Sequence, residues 1–285
     1  MEVKIIDYHS DEAPIQFISS LKNTGFAVIE NSPIKEDFLD SVYAEWKDFF
    51  YSDIKKKYLF DHDKQDGFFP FRSENAKSSS YKDLKEFYHI YNWGRYPEEI
   101  SLRTKKLFKE LVFFATELLS WIDLNLDKDI KNKLSIPLMD MIQDSESNLM
   151  RVIHYPPLIN SDDSQAVRAA AHEDINLLTL LCGSNEPGLQ ALDNDGNWHD
   201  ILARPNTISV NSGDMLHMCT GGYFPSTTHR VTNPKIYNTE MNVSRFSIPV
   251  FLHPRDDVIL KDNYTAGEYL NDRLNEIGLK KTTKV

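Results

Sequence analysis

The stretch AAHEDINLLTLL, from Ala169 to Leu180, places a histidine and an aspartate two residues apart at the head of an apolar segment. Asn176, Thr179 and the leucines around them are typical of a β-strand. In an extended chain, residues i and i+2 point to the same side, with their Cα atoms roughly 7 Å apart. We therefore predict that the side chains of His172 and Asp174 can converge on one metal ion.

The chain beyond Ser147 is a series of short strand-like segments separated by turns. The segments are NLMRVIHYPP, INLLTLLC, GLQALD, NWHDILA, TISVNSG, DMLHMC, THRVTN and RFSIPVFL. Asn194-Asp195-Gly196 is a strong hairpin signal, and NSGD at 211–214 is a second turn signal. Regularly spaced strands with such turns predict a double-sheet jelly roll.

The N-terminal half shows the apolar periodicity of helices. Helices are predicted over Ala13–Lys22, Lys35–Tyr58 and Leu102–Ile122, and a strand is predicted within Gly25–Ile34. Residues 66–90 combine aromatic and polar side chains, which suits a loop and strand near a pocket and an ordinary surface segment equally well. The predicted architecture is a helical N-terminal half packed on a C-terminal β core.

Composition limits the classes of function. The 285 residues are 41% hydrophobic and 12% aromatic, enough to bury a large core in one sizeable domain. A net charge of −11 argues against a general nucleic-acid or anionic-membrane surface, so we expect neither partner. Cys182 and Cys219 are expected to be buried free thiols in a reduced compartment. With no apolar run near 18 residues and no signal-like N-terminus, we expect a soluble cytoplasmic protein.

A third metal ligand is available in His229, which lies 57 residues beyond His172. Two histidines and one carboxylate suit non-haem Fe(II) and leave positions open for O₂ and a co-substrate. Zinc hydrolases use the same residue types, so the ligands alone leave the metal open. Hydrogen-bonded strand histidines are the alternative interpretation. His154 and His217 are less favoured as ligands, since His217 lies in a predicted strand interior.

A second pair of polar residues follows in the segment RFSIPVF. Arg245 and Ser247 point to one side of a predicted strand whose intervening residues, Phe246 and Ile248, are apolar. A guanidinium buried in such a strand is costly unless it meets an anion. Together with a hydroxyl it would suit a carboxylate ligand, whereas an internal salt bridge to an Asp or Glu is the alternative.

These motifs, in this order, resemble the isopenicillin-N-synthase-like branch of the Fe(II)/2-oxoglutarate dioxygenases. They are HED at 172–174, GLQ at 188–190, the DGNW turn, VNSGDML, THRV and RFS. Further upstream, RVIHYPP resembles the family's tyrosine-proline strand and TGFAVIENSPI its N-terminal segment. The resemblance implies a mainly β fold with α-helices, in which N-terminal helices buttress a distorted double-stranded β-helix (jelly roll).

The resemblance also assigns residues to the ligands of the family. The metal ligands, which are also the catalytic residues, would be His172, Asp174 and His229. Arg245, Ser247 and Tyr155 would bind the distal carboxylate of 2-oxoglutarate. Phe251 would border the substrate. This sequence departs from the family at Gly221, where many members carry asparagine, and at His154, where another tyrosine is usual.

The function implied is an oxygenase that uses Fe(II), 2-oxoglutarate and O₂, with ascorbate as a candidate reductant. It would hydroxylate or desaturate a small molecule and release succinate and CO₂. A same-fold Fe(II) oxidase that does not use 2-oxoglutarate and a non-catalytic metabolite-binding jelly roll remain as alternatives. We expect residues 1–146 to pack on an Fe(II)/2-oxoglutarate core at 147–255, with a helical tail at 256–285, in one compact unit.

Several basic residues lie near segments expected to form the pocket. They are Arg72, Lys77, Lys82, Arg95 and Arg168. They would suit an anionic substrate, but ordinary solvation at the surface explains each of them at least as well. The basic residues therefore leave the identity of the substrate open. The sequence also leaves the oligomeric state open.

Overall fold

The structure is a computed structural model that describes residues 1–74, 81–158, 166–184, 186–202, 204–234 and 243–279. Its helices are α1 (Ala13–Thr24), α2 (Glu36–Tyr51), α3 (Arg103–Asn125), α4 (Lys128–Lys131), α5 (Leu138–Met141), α6 (Asp214–Cys219) and α7 (Ala266–Glu276). Its strands are β1 (Ile5–Asp7), β2 (Phe26–Glu30), β3 (Gly67–Phe69), β4 (Glu86–Ile90), β5 (Leu149–Tyr155), β6 (Ala169–His172), β7 (Leu178–Cys182), β8 (Leu189–Leu192), β9 (Trp198–Asp200), β10 (Thr207–Ser212), β11 (His229–Val231), β12 (Arg245–Ser247), β13 (Pro249–Leu252), β14 (Ile259–Lys261) and β15 (Tyr264–Thr265).

Two sheets form the jelly-roll core that the sequence predicts. The larger sheet has the order β1-β2-β10-β7-β13-β5-β4-β3, and β12 also pairs with β5. The smaller sheet has the order β6-β11-β8-β9, and β14 and β15 form a separate ribbon. The predicted hairpin at Asn194–Gly196 is confirmed, because β8 and β9 pair in antiparallel fashion on either side of it.

The larger sheet is covered on both faces by apolar residues. One cluster joins it to the N-terminal helices and includes Trp46 of α2 and Leu111 of α3, both with no exposed surface. The other cluster lies between the sheets, where Phe26 and Ile153 of the larger sheet meet Val231 of the smaller one. The second cluster adjoins the candidate site, because the ring of Phe26 lies 5.6 Å from the ring of His229.

The predicted helices form with shifted ends. The helix α1 closes at Gly25, whose φ of +70° favours glycine, and a Cβ there would lie 2.2 Å from Oγ1 of Thr227. The predicted helix over Lys35–Tyr58 is shorter than expected. The helix α2 stops at Tyr51 because Ser52 is extended, and a 3₁₀ turn covers Asp53–Tyr58.

Two strand predictions are corrected by the structure. The segment around His217 is the short helix α6 rather than a strand, and it begins directly after Gly213. The stretch from His172 to Thr179 is not one strand, because β6 ends at His172 and β7 of the other sheet begins at Leu178. Asp174 therefore lies in the connection between the two sheets.

Two expectations from composition can be compared with the structure. Cys182 and Cys219 are both buried and both free, as predicted. Among the helices of the described ranges, none combines the length and the apolar character needed to cross a membrane.

Residues 66–90 contain the paired strands β3 and β4, and residues 75–80 between them lie outside the described residues.

Candidate metal and co-substrate site

Strand pairing brings three candidate metal ligands together. His229 opens β11 and lies directly opposite His172, the last residue of β6. Asp174 follows two residues later, and its Oδ1 lies 3.7 Å from Nε2 of His172 and 3.8 Å from Nε2 of His229. One ligand atom from each residue lies within 4.8 Å of the others, so the three could hold one ion.

Hydrogen bonds orient both imidazoles toward that point. Nδ1 of His172 lies 2.8 Å from the carbonyl oxygen of Ala170, and Nδ1 of His229 lies 3.1 Å from that of Thr227. A proton on each Nδ1 satisfies these carbonyls and leaves the Nε2 lone pair available to a metal. Burial and the neighbouring His229 lower the pKa of His172 to about 4, so its ring is neutral near pH 7.

Asp174 is held as an anion with one oxygen free. Its Oδ2 accepts hydrogen bonds from the hydroxyl of Thr179 at 2.6 Å and from the side-chain amide of Asn211 at 2.8 Å. Burial raises the pKa of this carboxyl, but His229, His172 and the two hydrogen bonds outweigh burial, and the pKa lies below its usual value. The free Oδ1 faces the two imidazoles.

Arg245 is completely buried and lacks an anionic partner. It lies opposite Tyr155 in the pairing of β12 with β5, and its guanidinium carbon is 5.3 Å from the centre of the tyrosine ring. Its Nε donates to the carbonyl oxygen of Glu186 at 3.2 Å, whereas both terminal nitrogens have no partner within the described residues. Ser247, two residues along, is also buried. An internal salt bridge, the alternative considered above, is not found in the described part of the chain.

Arg168 is a second buried cation at this end of the site. It is 2% exposed, and its guanidinium carbon lies 6.0 Å from the centre of the Tyr155 ring. One terminal nitrogen donates to the carbonyl oxygen of Val243 at 3.0 Å, while Nε is buried without a partner. Burial and the nearby Arg245 lower the pKa of Arg168 to about 10. The sequence marked Arg168 only as one of several basic residues.

Of the other basic residues named from the sequence, Arg72, Lys82 and Arg95 do not line the cavity beside the triad. Arg95 is tied to Asp66, whose carboxylate lies 2.7 Å from the guanidinium. Arg72 and Lys82 are exposed, which agrees with the solvated-surface alternative for these two. Lys77 lies outside the described residues.

A cavity of about 530 Å³ opens beside the triad and is lined by His172 and Asp174. Phe251, which the sequence expects at the substrate, lines the same cavity. The ring of Phe251 lies 5.5 Å from the guanidinium carbon of Arg151, another lining residue. The cavity lies within the range of volumes that holds small organic ligands.

One wall of the cavity carries a buried ionic network that the sequence analysis missed. Lys85 pairs with Glu74 at 2.9 Å and with Asp83 at 2.8 Å, and Arg151 lies 3.3 Å from Glu74. Nε of Arg151 also donates to His89 at 2.7 Å. Burial raises the pKa of Glu74, but Arg151 and Lys85 outweigh it and bring the pKa well below its usual range. Lys85 lies directly before β4 and His89 lies within it, and an even spacing of this kind was a usable signal. Both residues line the cavity, as the pocket interpretation of this segment expects.

The two histidines set aside as ligands lie elsewhere. His154 is on the other face of β5, where its Nδ1 is 2.8 Å from Glu86 and its Nε2 is 2.9 Å from the hydroxyl of Ser244. His217 is exposed on α6 and faces the carbonyl oxygen of Phe224 at 3.0 Å. Neither belongs to the group of converging ligand atoms.

Two family models match the chain on either side of its middle. Residues 146–254 match the 2OG-Fe(II) oxygenase superfamily. Residues 5–110 match the N-terminal region of the non-haem dioxygenases in morphine synthesis. A curated 2-oxoglutarate-Fe(II) type oxidoreductase of Aspergillus fumigatus is 27% identical over 57% of this chain, and the match spans 45% of that protein's length.

Solved structures match over almost the entire chain. A Shewanella oneidensis protein described as an oxygenase is 44% identical, with a TM-score of 0.87, and the match covers 98% of this chain and 99% of that one. A Caulobacter crescentus protein described as a member of the 2OG-Fe(II) oxygenase family is 30% identical, with a TM-score of 0.79, over 96% and 99% of the two chains. The protein therefore belongs to the 2OG-Fe(II) oxygenase superfamily.

Proposed function

We propose that this protein is a non-haem Fe(II)- and 2-oxoglutarate-dependent oxygenase that hydroxylates or desaturates a small molecule. One observation carries the proposal. Three converging ligand atoms border a cavity, and strand β12 of the same jelly roll holds the buried guanidinium of Arg245, which has no anionic partner among the described residues. The combination suits a metal together with a co-substrate that carries a second carboxylate.

We assign His172, Asp174 and His229 as the ligands of Fe(II). Two neutral imidazoles and one carboxylate are a donor set that suits Fe(II) and leaves positions for O₂ and a co-substrate. When bound, iron and 2-oxoglutarate supply the electrons that activate O₂, with release of succinate and CO₂. The hydrogen bonds from Thr179 and Asn211 to Asp174 keep its carboxylate in place and in the charged form.

We assign Arg245, Ser247 and Tyr155 to the distal carboxylate of 2-oxoglutarate. A planar guanidinium can bind a carboxylate through two parallel hydrogen bonds, and the two terminal nitrogens of Arg245 lack other partners. An oxidase that takes no 2-oxoglutarate would leave this buried charge unpaired, which costs free energy. The 2-oxoglutarate-dependent reaction is therefore favoured over an oxidase that binds no carboxylate at Arg245.

The remaining lining residues orient the substrate and exclude water. Phe251 presents an aromatic surface beside the triad, and the network of Lys85 with Glu74 and Asp83 holds the facing wall in place. Buried side chains with fixed partners preorganise a site because little has to rearrange when the ligand enters. We infer that the position of a C–H bond relative to the metal is determined by these walls.

Anaerobic titration with Fe(II), in the presence and absence of 2-oxoglutarate, tests the proposal. Binding of both should produce the weak visible charge-transfer band of the chelate, and 2-oxoglutarate alone should produce none. A protein that binds Fe(II) but forms no chelate at saturating 2-oxoglutarate would be an oxidase or a binding module. A protein that binds neither would contradict the site assignment as well.

A further inference from the structure

The cavity beside the triad has an excess of negative charge. Apart from Asp174, its lining includes seven carboxylates and four cationic side chains, an excess of three negative charges. The carboxylates are Asp63, Glu74, Asp83, Glu146, Asp214, Asp256 and Glu276, and the cations are Lys64, Lys85, Arg151 and Arg273. A cavity with this balance attracts cations and repels anions.

The excess of negative charge lies away from the wall that carries the buried network of Lys85, Glu74, Asp83 and Arg151. Glu74 and Asp83 share Lys85 and Arg151, as described above. In contrast, Glu146 and Asp256 have no lysine, arginine or histidine nitrogen within 4.0 Å anywhere in the ranges the structure covers. These two carboxylates are therefore available to a positively charged ligand. Asp63 and Asp214 also lack an ion pair within the described residues, and Asp214 accepts a hydrogen bond from the hydroxyl of Tyr269.

An exposed indole lies beside these carboxylates. Trp93 is 50% exposed, stacks on Tyr91 with ring centroids 4.6 Å apart, and donates from Nε1 to the carbonyl oxygen of Glu146 at 3.0 Å. The hydroxyl of Ser147 donates to Asp256 at 3.0 Å and connects the two carboxylate-bearing segments. We call Trp93, Glu146 and Asp256 the acidic mouth. An aromatic face next to carboxylates is a favourable environment for an organic cation.

A buried and unsatisfied histidine independently indicates a ligand at this position. His253 is 5% exposed and lines the same cavity, and neither of its ring nitrogens makes a hydrogen bond of good geometry within the described residues, although backbone groups of Phe251 and Ser147 lie near the ring. Buried polar atoms in folded proteins are nearly always hydrogen-bonded. A ligand N–H group that enters through the acidic mouth would give the free imidazole nitrogen its missing partner.

The negative charge of the cavity would persist after the iron and co-substrate bind. The two positive charges of Fe(II) would be balanced by the carboxylate of Asp174 and by the carboxylate of 2-oxoglutarate that binds the metal. The distal carboxylate is balanced by Arg245. When the buried cation Arg168 is also counted, the three excess negative charges of the other lining residues leave two for the substrate to meet.

We propose that the substrate is a small organic cation, a protonated amine on an apolar body, whose ammonium group lies between Glu146, Asp256 and Trp93. The apolar body would pack on the wall contributed by the C-terminal region, where Leu270, Leu274 and Ile277 line the cavity. The inference rests on the proposed function for the reaction, but the charge preference itself can be measured by binding alone.

Calorimetric titration of the anaerobic Fe(II)·2-oxoglutarate holoenzyme with three probes of matched length tests this inference. The probes are n-hexylammonium, n-hexanoate and 1-hexanol at neutral pH. We expect n-hexylammonium to bind at least about tenfold more tightly than n-hexanoate, with 1-hexanol in between. The double substitution Glu146→Gln and Asp256→Asn should bring the three affinities to within about threefold of one another.

The matched control is Asp257→Asn, which removes a carboxylate one position away. Asp257 is exposed, pairs with Arg255 and does not line the cavity, so the ammonium preference should persist. The inference is overturned if wild type binds none of the probes, shows no preference for the ammonium, or keeps that preference in the double variant. The charge-transfer band of the chelate is recorded first, because it distinguishes a failure of this inference from a failure of the proposed function. A normal chelate without the preference overturns only this inference, whereas the preference without a chelate overturns only the proposed function.

Discussion

His229 lies directly opposite His172 in the pairing of β11 with β6, and the centroids of the two imidazole rings are 4.4 Å apart. The 56 residues between them include two strands of the smaller sheet, so this proximity depends on correct strand register. A slip of one residue would turn one of the rings to the opposite face of the sheet. The metal site and the register of the smaller sheet are therefore coupled.

Removing one of these imidazoles should abolish stable iron binding. His172→Ala and His229→Ala each leave two ligands, too few to hold a labile divalent ion tightly. His217→Ala is the control, because this histidine is exposed on α6 and away from the triad. Metal analysis after anaerobic loading measures the effect. An iron content of His229→Ala equal to that of wild type would rule out the ligand assignment.

Removing the buried guanidinium should separate co-substrate binding from metal binding. Arg245→Met should retain Fe(II) but weaken 2-oxoglutarate binding by about 2–5 kcal/mol, the range for truncating one partner of a buried charge pair. Ser247→Ala should cost about 1.5–3 kcal/mol, as expected for a lost hydrogen bond to a charged group. Titration of the chelate band with 2-oxoglutarate measures both, and Arg103→Met, at an exposed surface ion pair, is the control. Unchanged 2-oxoglutarate affinity in Arg245→Met would contradict the assignment.

Gly25→Ala should disturb both the fold and the metal site. The residue has φ +70°, and the added Cβ would lie 2.2 Å from Oγ1 of Thr227, whose carbonyl oxygen is the partner of His229 Nδ1. Backbone strain and overpacking together should lower the free energy of unfolding by about 2–4 kcal/mol. Fe(II) affinity should fall as well, because the His229 ring loses its fixed orientation.

Gly196→Ala is the matched control for this substitution. Gly196 has φ +84°, but nothing lies within 4 Å of the position of its Cβ. We expect only the backbone cost of about 1 kcal/mol and no change in iron binding. Chemical denaturation and iron titration of both variants provide the comparison. Equal losses of stability in the two would show that the contact with Thr227 is unimportant.

The stability of the metal-free protein should fall in moderately acidic solution, in part because of His253. Burial lowers the pKa of His253 from 6.5 to about 4, so in this interval the unfolded state binds more protons than the folded state. Stability then rises with pH through this window, and the contribution of His253 is lost as the pH falls to 4. The contribution should be about 3 kcal/mol. Denaturation curves of His253→Leu should show a weaker pH dependence, whereas the exposed-site variant His9→Leu should match wild type.

Local chemistry explains why so much of the candidate site could be predicted. The i, i+2 spacing of Arg245 and Ser247 survives in β12, since alternation along a strand depends only on backbone geometry. The same argument predicted that the side chains of His172 and Asp174 converge, and they do, but for a different reason. Asp174 lies in the connection to β7 rather than in a strand, and hydrogen bonds from Thr179 and Asn211 orient its carboxylate.

The sequence by itself determined the jelly-roll class, the order of the motifs and the identity of the three candidate ligands, because turn chemistry, strand alternation and helical periodicity are local properties. Only the tertiary structure decided which charges have partners. It left Arg245 and the carboxylates of Glu146 and Asp256 without ionic partners in the described chain, and it paired Lys85 with Glu74. Such pairing depends on contacts between segments distant in the chain, and no pattern within one segment encodes those contacts.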